Sequence, residues 1–207
     1  MVLTKRQVDE VEERTRGQRE NHLWHEVRRC RITASNFGRV ISAHNNNHNY
    51  SESLKTSLNG HYNIENIPSV RWGVENEVTA VSAFESKTGL QVRQCGIFLH
   101  KSGRLCASPD GLVGHDAIVE IKCPYSLRNS RQLPAYIDKR SGNLSKKHQY
   151  YAQVQGTMYI TGRKICYFVV WTPLYTHITM VKYQQRWARD NIPKLLHAHE
   201  AIFSACI

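Results

Sequence analysis

The chain has 207 residues, 28 Lys and Arg against 17 Asp and Glu for a formal net charge of +11, and 41% hydrophobic residues. Its length suits one domain with a sizeable core, its hydrophobic share is ordinary for a globular protein, and no apolar run is long enough to span a bilayer. The positive excess argues for a nucleic-acid partner rather than small-metabolite chemistry, and a charged N-terminus without an apolar stretch argues for an intracellular protein of the cytoplasm or nucleus, not a secreted one.

Residues 5–29 are highly charged and read as a helix. At their end Trp24-His25-Glu26-Val27-Arg28-Arg29-Cys30-Arg31 leads into Ile32-Thr33-Ala34-Ser35. Thr33 to Ser42 reads as a second, short helix, with Thr33 or Ser35 able to cap it. An Arg cluster beside a helix start is a natural phosphate site, and it is also what an ordinary basic helix end looks like. Residues 43–69 are rich in Asn, His and Ser and read as a loop with a further helix around Ser51–Leu58. His44 and His48 have metal-like spacing there. Without a Cys or acidic residue close in sequence, a mobile loop is the better reading than a zinc site.

Residues 71–88 read as a helix closed by Gly89, with Val74, Val78, Val81 and Phe84 on its apolar face. Strands are expected at 91–100 and 104–107 around the turn Lys101-Ser102-Gly103, and another at 116–123. Residues 124–144 form a long polar connection. A helix at 145–161 ends at Gly162, with Tyr151, Val154 and Met158 as its core stripe. Strands at 164–172 and 175–182 and a helix at 184–204 complete the chain. The order predicts a mixed α/β (α+β) fold, with a central mixed sheet of about five strands flanked by helices. Residues 1–207 are expected to be a single domain, a helical segment (1–69) packing on a core (70–207). The six cysteines include no Cys-x-x-Cys pair and read as reduced, mostly buried small hydrophobes.

The chemistry concentrates between Ser108-Pro109-Asp110-Gly111-Leu112 and Val119-Glu120-Ile121-Lys122-Cys123. Alternation along a strand places Glu120 and Lys122 on one face with Ile118. A half-exposed strand explains that pair alone, and a structural turn explains Ser-Pro-Asp-Gly alone. Together they fit phosphodiester hydrolysis. Asp110 and Glu120 are suited to holding magnesium, with the Ile121 backbone carbonyl as a third ligand. Lys122 is suited to orienting the attacking water. Two ions about 3.5–4 Å apart would clamp the attacking and leaving oxygens. Glu77 falls beside the apolar stripe of its helix, where a carboxylate is costly unless paired or metal-bound, so it is preferred over the solvated Glu75 as a further site residue. Gln153 borders the core stripe of the later helix, where an amide can bridge a phosphate or water. A surface glutamine is the plainer reading.

Taken together the segments resemble the lambda exonuclease family, also described as YqaJ-type viral recombinases or alkaline exonucleases, within the PD-(D/E)XK nucleases. The resemblance rests on four blocks in order: Trp24-x-x-x-Arg28 with Ile32-Thr33-Ala34-Ser35; Trp72-Gly73-x-x-x-Glu77; Ser108-Pro109-Asp110-Gly111-Leu112 with Glu120-x-Lys122-Cys123-Pro124; and Tyr151-Ala152-Gln153-Val154-Gln155. It implies a magnesium-dependent exonuclease, with manganese as a substitute ion, that digests one strand of duplex DNA from its 5′ end during recombination or repair. It implies that Asp110, Glu120 and the Ile121 carbonyl bind metal, that Lys122 serves the water, and that Glu77 completes the site directly or through water. Arg28, Ser35, Ser108 and Gln153 match positions that hold the 5′-terminal phosphate; Arg29 and Arg31 stand where neutral residues are common, so either could share the role of Arg28. The resemblance further implies a single-strand annealing protein as partner and, in some members, a homotrimeric ring. An endonuclease on the same core, acting on branched DNA or RNA, and a DNA-binding module without catalysis are the alternative readings.

Overall fold

The computed structural model describes residues 2–58 and 67–204. The charged N-terminal run divides into α1 (Lys5–Arg14) and α2 (His22–Arg28), where one continuous helix was expected. Thr4 and Gln7 start α1 as a reciprocal capping box, with Gln7 N–H donating to Thr4 Oγ1 (3.3 Å) and Thr4 N–H to Gln7 Oε1 (2.9 Å). Gly17 then adopts φ 87°, which ends helical propagation, and Asn21 Oδ1 accepts from Leu23 N–H (3.0 Å) to begin α2. Glu12 on α1 accepts from Gly96 N–H (3.0 Å), while Arg16 donates to both its oxygens (3.0 and 2.7 Å). Burial alone would raise the Glu12 carboxyl, but these bonds outweigh it and hold the group below the usual carboxylate range.

Next come β1 (Ile32–Thr33), α3 (Phe37–Asn45) and α4 (Glu52–Leu58). The helix anticipated from Thr33 therefore starts four residues later, because Ile32 and Thr33 pair in parallel with Leu105 and Cys106. The N-terminal segment is thus not purely helical. Part of the anticipated 43–69 loop, residues 59–66, lies outside the described residues, as does Cys206. α5 (Pro68–Thr88) has Pro68 in its first turn and ends at Gly89 with φ 71°. Its core face differs from the anticipated stripe. Ala80 and Phe84 are buried, whereas Val74 and Val78 are 40% and 76% exposed. Val74 and Val78 instead line a cleft with Gln18, Arg19, Glu77 and Asp110.

The single strand expected at 91–100 is two, β2 (Val92–Arg93) and β3 (Phe98–Leu99), in different sheets. Between them Gly96 lies so close to α1 that a Cβ there would sit 2.1 Å from the Glu12 carbonyl oxygen. The remaining elements are β4 (Leu105–Ala107), β5 (Gly111–Val113), β6 (Ala117–Lys122), α6 (Gln149–Thr161), β7 (Ile165–Thr172), β8 (Tyr175–Lys182) and α7 (Gln185–Phe203). β5 was not anticipated, since Ser-Pro-Asp-Gly reads as a turn. Gly111 instead leads directly into pairing with Val119. A small sheet has the order β1-β4-β3, and the main sheet the order β2-β5-β6-β7-β8, with β6 and β7 parallel and the other pairs antiparallel.

The main sheet is covered on both faces. Val119, Ile121, Val169 and Trp171 pack with Ala80 and Phe84 of α5. Ile118, Phe168 and Val170 pack with Tyr151, Val154 and Met158 of α6, as the core stripe anticipated. β6 is therefore a buried central strand, not a half-exposed one, consistent with its β-branched run. α3 crosses α6 at close range, where a Cβ on Gly156 would lie 2.2 Å from the Phe37 ring. α7 completes that side through Leu195, Ala198 and Phe203. Truncating a fully buried phenylalanine such as Phe84 or Phe168 to Ala costs about 3–5 kcal/mol in comparable cores. Among the described residues no helix is long and apolar enough to cross a membrane.

Candidate active site

The β5–β6 pairing builds the centre of the site. Its register matches Gly111 with Val119, so one further step sets Asp110 opposite Glu120. Asp110 Oδ2 accepts from Ile121 N–H at 2.6 Å. Lys122 Nζ donates to Glu120 Oε1 at 2.7 Å, and Gln153 Nε2 of α6 donates to the same oxygen at 2.6 Å. Glu120 is only 2% exposed. Lys122 also lies over the Tyr150 ring, 4.6 Å from its centroid. A cleft of about 410 Å³ opens onto this group, lined by Arg19, Glu77, Asp110, Ile121, Lys122 and Tyr150 among others.

The electrostatics are those of crowded carboxylates. Burial pushes Asp110 well above the usual range, and the neighbouring Glu120 and Glu77 push further; Lys122 and the bond from Ile121 N–H pull back. Burial raises Glu77 as well, with Arg19 and Lys122 opposing and Glu120 adding to the rise. Burial alone would lower Lys122, but Glu120 and Asp110 outweigh it and keep the ammonium charged above the ordinary lysine value. Glu77 thus faces the site although Val74 and Val78 of the apolar stripe used to select it are exposed. Glu75 is exposed, as anticipated.

The expected phosphate residues separate into groups. Arg28 stacks on Trp24 at 4.0 Å, and Trp24 Nε1–H donates to Ser108 Oγ at 2.9 Å, two residues before Asp110. Among the described residues Arg28 forms no ion pair with a carboxylate, and burial holds its guanidinium below the usual pKa. Ser35 is exposed, with its Oγ 3.0 Å from Thr33 Oγ1. Thr33 pairs with Cys106, so Ser35 and Ser108 both follow the ends of adjacent parallel strands. Arg31 is engaged differently. It donates to the Gly103 carbonyl (2.7 Å) and the Val27 carbonyl (2.6 Å), joining α2 to the β3–β4 turn. Gln153 is buried against Glu120 and is not a surface glutamine.

Sequence reasoning missed three contributors. Arg19 lines the cleft near Glu77. Gln18 Nε2 donates to the carbonyls of Pro109 (2.8 Å) and Cys95 (3.1 Å), steadying the residue before Asp110. Both lie in a charged run whose polar residues look alike, so no local signal marks them. Tyr150 had one, since it precedes Gln153 by three positions and so shares its helix face.

Residues 23–164 match the model of the YqaJ-like viral recombinase domain. The chain belongs to this family. Among solved structures, the YqaJ-like chain is similar to LHK-Exo in complex with dAMP, at 26% identity and TM-score 0.71, covering 88% of this chain and 92% of that one. It is similar to an alkaline exonuclease, LHK-Exo of Laribacter hongkongensis, at 25% identity and the same TM-score and coverage. A phage-related exonuclease of Haemophilus somnus 129PT shares the fold, at 15% identity and TM-score 0.62, over 85% of this chain and 94% of that one. No curated protein matches. The mixed α/β fold with its five-stranded mixed sheet is that of these exonuclease structures.

Proposed function

We propose that this YqaJ-like protein is an exonuclease that digests linear duplex DNA from a 5′-phosphorylated end and leaves 3′ single strands for recombination or repair. The observation that carries this reading is the grouping of half-buried Asp110 and Lys122 around buried Glu120, with Glu77 lining the same cleft as Asp110 and Lys122. Family membership, the likeness to LHK-Exo and the net charge of +11 support it.

The donor set fits a hard divalent cation. Asp110, Glu120, Glu77 and the Ile121 carbonyl offer oxygens only, and their mutual repulsion calls for positive charge beyond Lys122 and Arg19. Magnesium, with manganese as substitute and two ions as the proposed complement, would supply charge neutralisation at the phosphodiester oxygens and a water of lowered pKa. The protein's own part is positioning. Lys122, fixed by Glu120, presents its remaining donors to the attacking water and favours its deprotonated form. Gln153 holds Glu120 against Lys122. Arg28, with Ser108 steadied through Trp24 and Ser35 at the neighbouring strand end, is proposed to receive the terminal phosphate. A single-strand annealing protein taking the 3′ strand, and a homotrimer enclosing the duplex, are the proposed partners.

Digestion of linear duplex with magnesium tests the reading, comparing 5′-phosphate with 5′-hydroxyl ends and using closed circles as control. Phosphorylated linear DNA should be degraded preferentially and circles spared. Asp110→Asn, Glu120→Gln and Lys122→Ala should each lower the rate about 10²-fold or more while keeping the fold. Equal cutting of circles would turn the reading to an endonuclease. Unchanged activity in Lys122→Ala would remove the assigned site.

A further inference from the structure

Away from the carboxylate cleft, His44 in the last turn of α3, His48 just beyond it and His197 on α7 come together. One nitrogen from each lies within 4.8 Å of the others. The ring centroids are 4.3 Å apart for His44 and His48, 5.3 Å for His44 and His197, and 5.1 Å for His48 and His197. His44 is half-buried and the other two are exposed.

Several features hold this arrangement. His44 Nδ1 is bonded to the Tyr50 hydroxyl at 2.8 Å, which leaves Nε2 as its available ligand atom. A partner on the second ring nitrogen is what fixes the tautomer and orientation of a metal-ligating imidazole. The turn carrying His48 is closed by His48 N–H to the His44 carbonyl (3.2 Å), Asn49 N–H to the Ala43 carbonyl (3.1 Å) and Tyr50 N–H to the His48 carbonyl (2.9 Å). Asn47 and His48 both take positive φ, 50° and 57°, a conformation that side chains adopt at a cost. Lys194 Nζ donates to Asn45 Oδ1 (2.8 Å), joining α3 to α7 three residues before His197. Among the described residues no carboxylate pairs with these imidazoles. Burial, then His48, His197 and Lys194, hold the His44 imidazole below its ordinary pKa.

We propose that His44, His48 and His197 bind a borderline divalent transition ion of the zinc class, with the fourth position left to water, and that the ion clips the 45–50 turn to α7. Three imidazoles suit zinc, cobalt or nickel and not magnesium. Zinc–nitrogen bonds of about 2.0–2.1 Å in a tetrahedron put ligand nitrogens about 3.3 Å apart, a closure that rotation of the two exposed rings supplies. The site shares no residue with the cleft and does not rest on the nuclease reading.

The test uses the full chain without a histidine tag, treated with chelator and then titrated with zinc by calorimetry and with cobalt by visible absorption. One zinc should bind that is unaffected by Asp110→Asn. His48→Asn and His197→Asn should each weaken it about tenfold or more and abolish the visible cobalt bands, and Tyr50→Phe should weaken it about tenfold. Zinc should raise the thermal midpoint of the parent protein and not of His197→Asn. Because both variants change exposed rings, their metal-free midpoints should match the parent. Zinc binding that survives both histidine variants, or cobalt without visible bands, would overturn the proposal.

Discussion

Gln153 matches a family position tied to the terminal phosphate, yet its amide donates to Glu120 Oε1 at 2.6 Å inside the protein. The two roles make different demands on the same side chain. An amide acting on phosphate would lose the preference for phosphorylated ends when removed. An amide that holds Glu120 for Lys122 would slow both kinds of end alike. We expect Gln153→Leu to lower the rate on 5′-phosphate and 5′-hydroxyl duplex by the same factor, about tenfold or more, since a buried carboxylate loses a donor. Selective loss on phosphorylated ends would return Gln153 to the phosphate pocket. Glu77 carries a related lesson. The argument that a carboxylate beside an apolar stripe needs a partner selected it, but Val74 and Val78 of that stripe are exposed. Glu77 nevertheless lines the cleft together with Asp110, Lys122 and Arg19.

At the level of elements, the docking of α1 depends on one glycine. Gly96 gives its N–H to Glu12, and Ile97 N–H reaches Thr15 Oγ1 at 2.8 Å, so α1 lies directly on the passage between the two sheets. A Cβ at Gly96 would meet the Glu12 carbonyl at 2.1 Å and Thr15 Oγ1 at 2.3 Å. Backbone atoms cannot rotate aside, so Gly96→Ala should destabilise the protein by about 2–3 kcal/mol, read as a lowered denaturation midpoint. An unchanged midpoint would show that α1 is not anchored there. The same close approach explains why 91–100 reads as one strand and folds as two. The apolar pattern runs through Cys95, Gly96 and Ile97, while the pairing partner changes from β5 to β4.

For the molecule as a whole, a charge of +11 would attract a polyanion at long range. Duplex binding by the Asp110→Asn variant should weaken steeply with salt, by about tenfold or more between 50 and 200 mM, as counterion release requires. Salt-independent binding would remove the electrostatic argument for DNA. On the proposed function, the net positive charge would serve capture of DNA and the carboxylate cleft the chemistry.

The coarse helix–strand–helix–strand–helix alternation, the α6 core stripe and the Asp110, Glu120 and Lys122 grouping were legible in the sequence, because each rests on local spacing: 3.6 residues per turn, two per strand repeat, and one hairpin. Residues 5–29 misled because charge alone does not reveal where Gly17 and Asn21 interrupt a helix. β5 was hidden because a turn sequence and a short strand overlap at Gly111. Contacts between distant segments had no local trace at all. Gln18 bonds to Pro109 across 91 residues, Gln153 to Glu120 across 33, and His197 meets His44 only when α7 folds back along α3. Periodicity encodes which face of an element is apolar. Only packing decides which polar groups on the other faces are left to find one another.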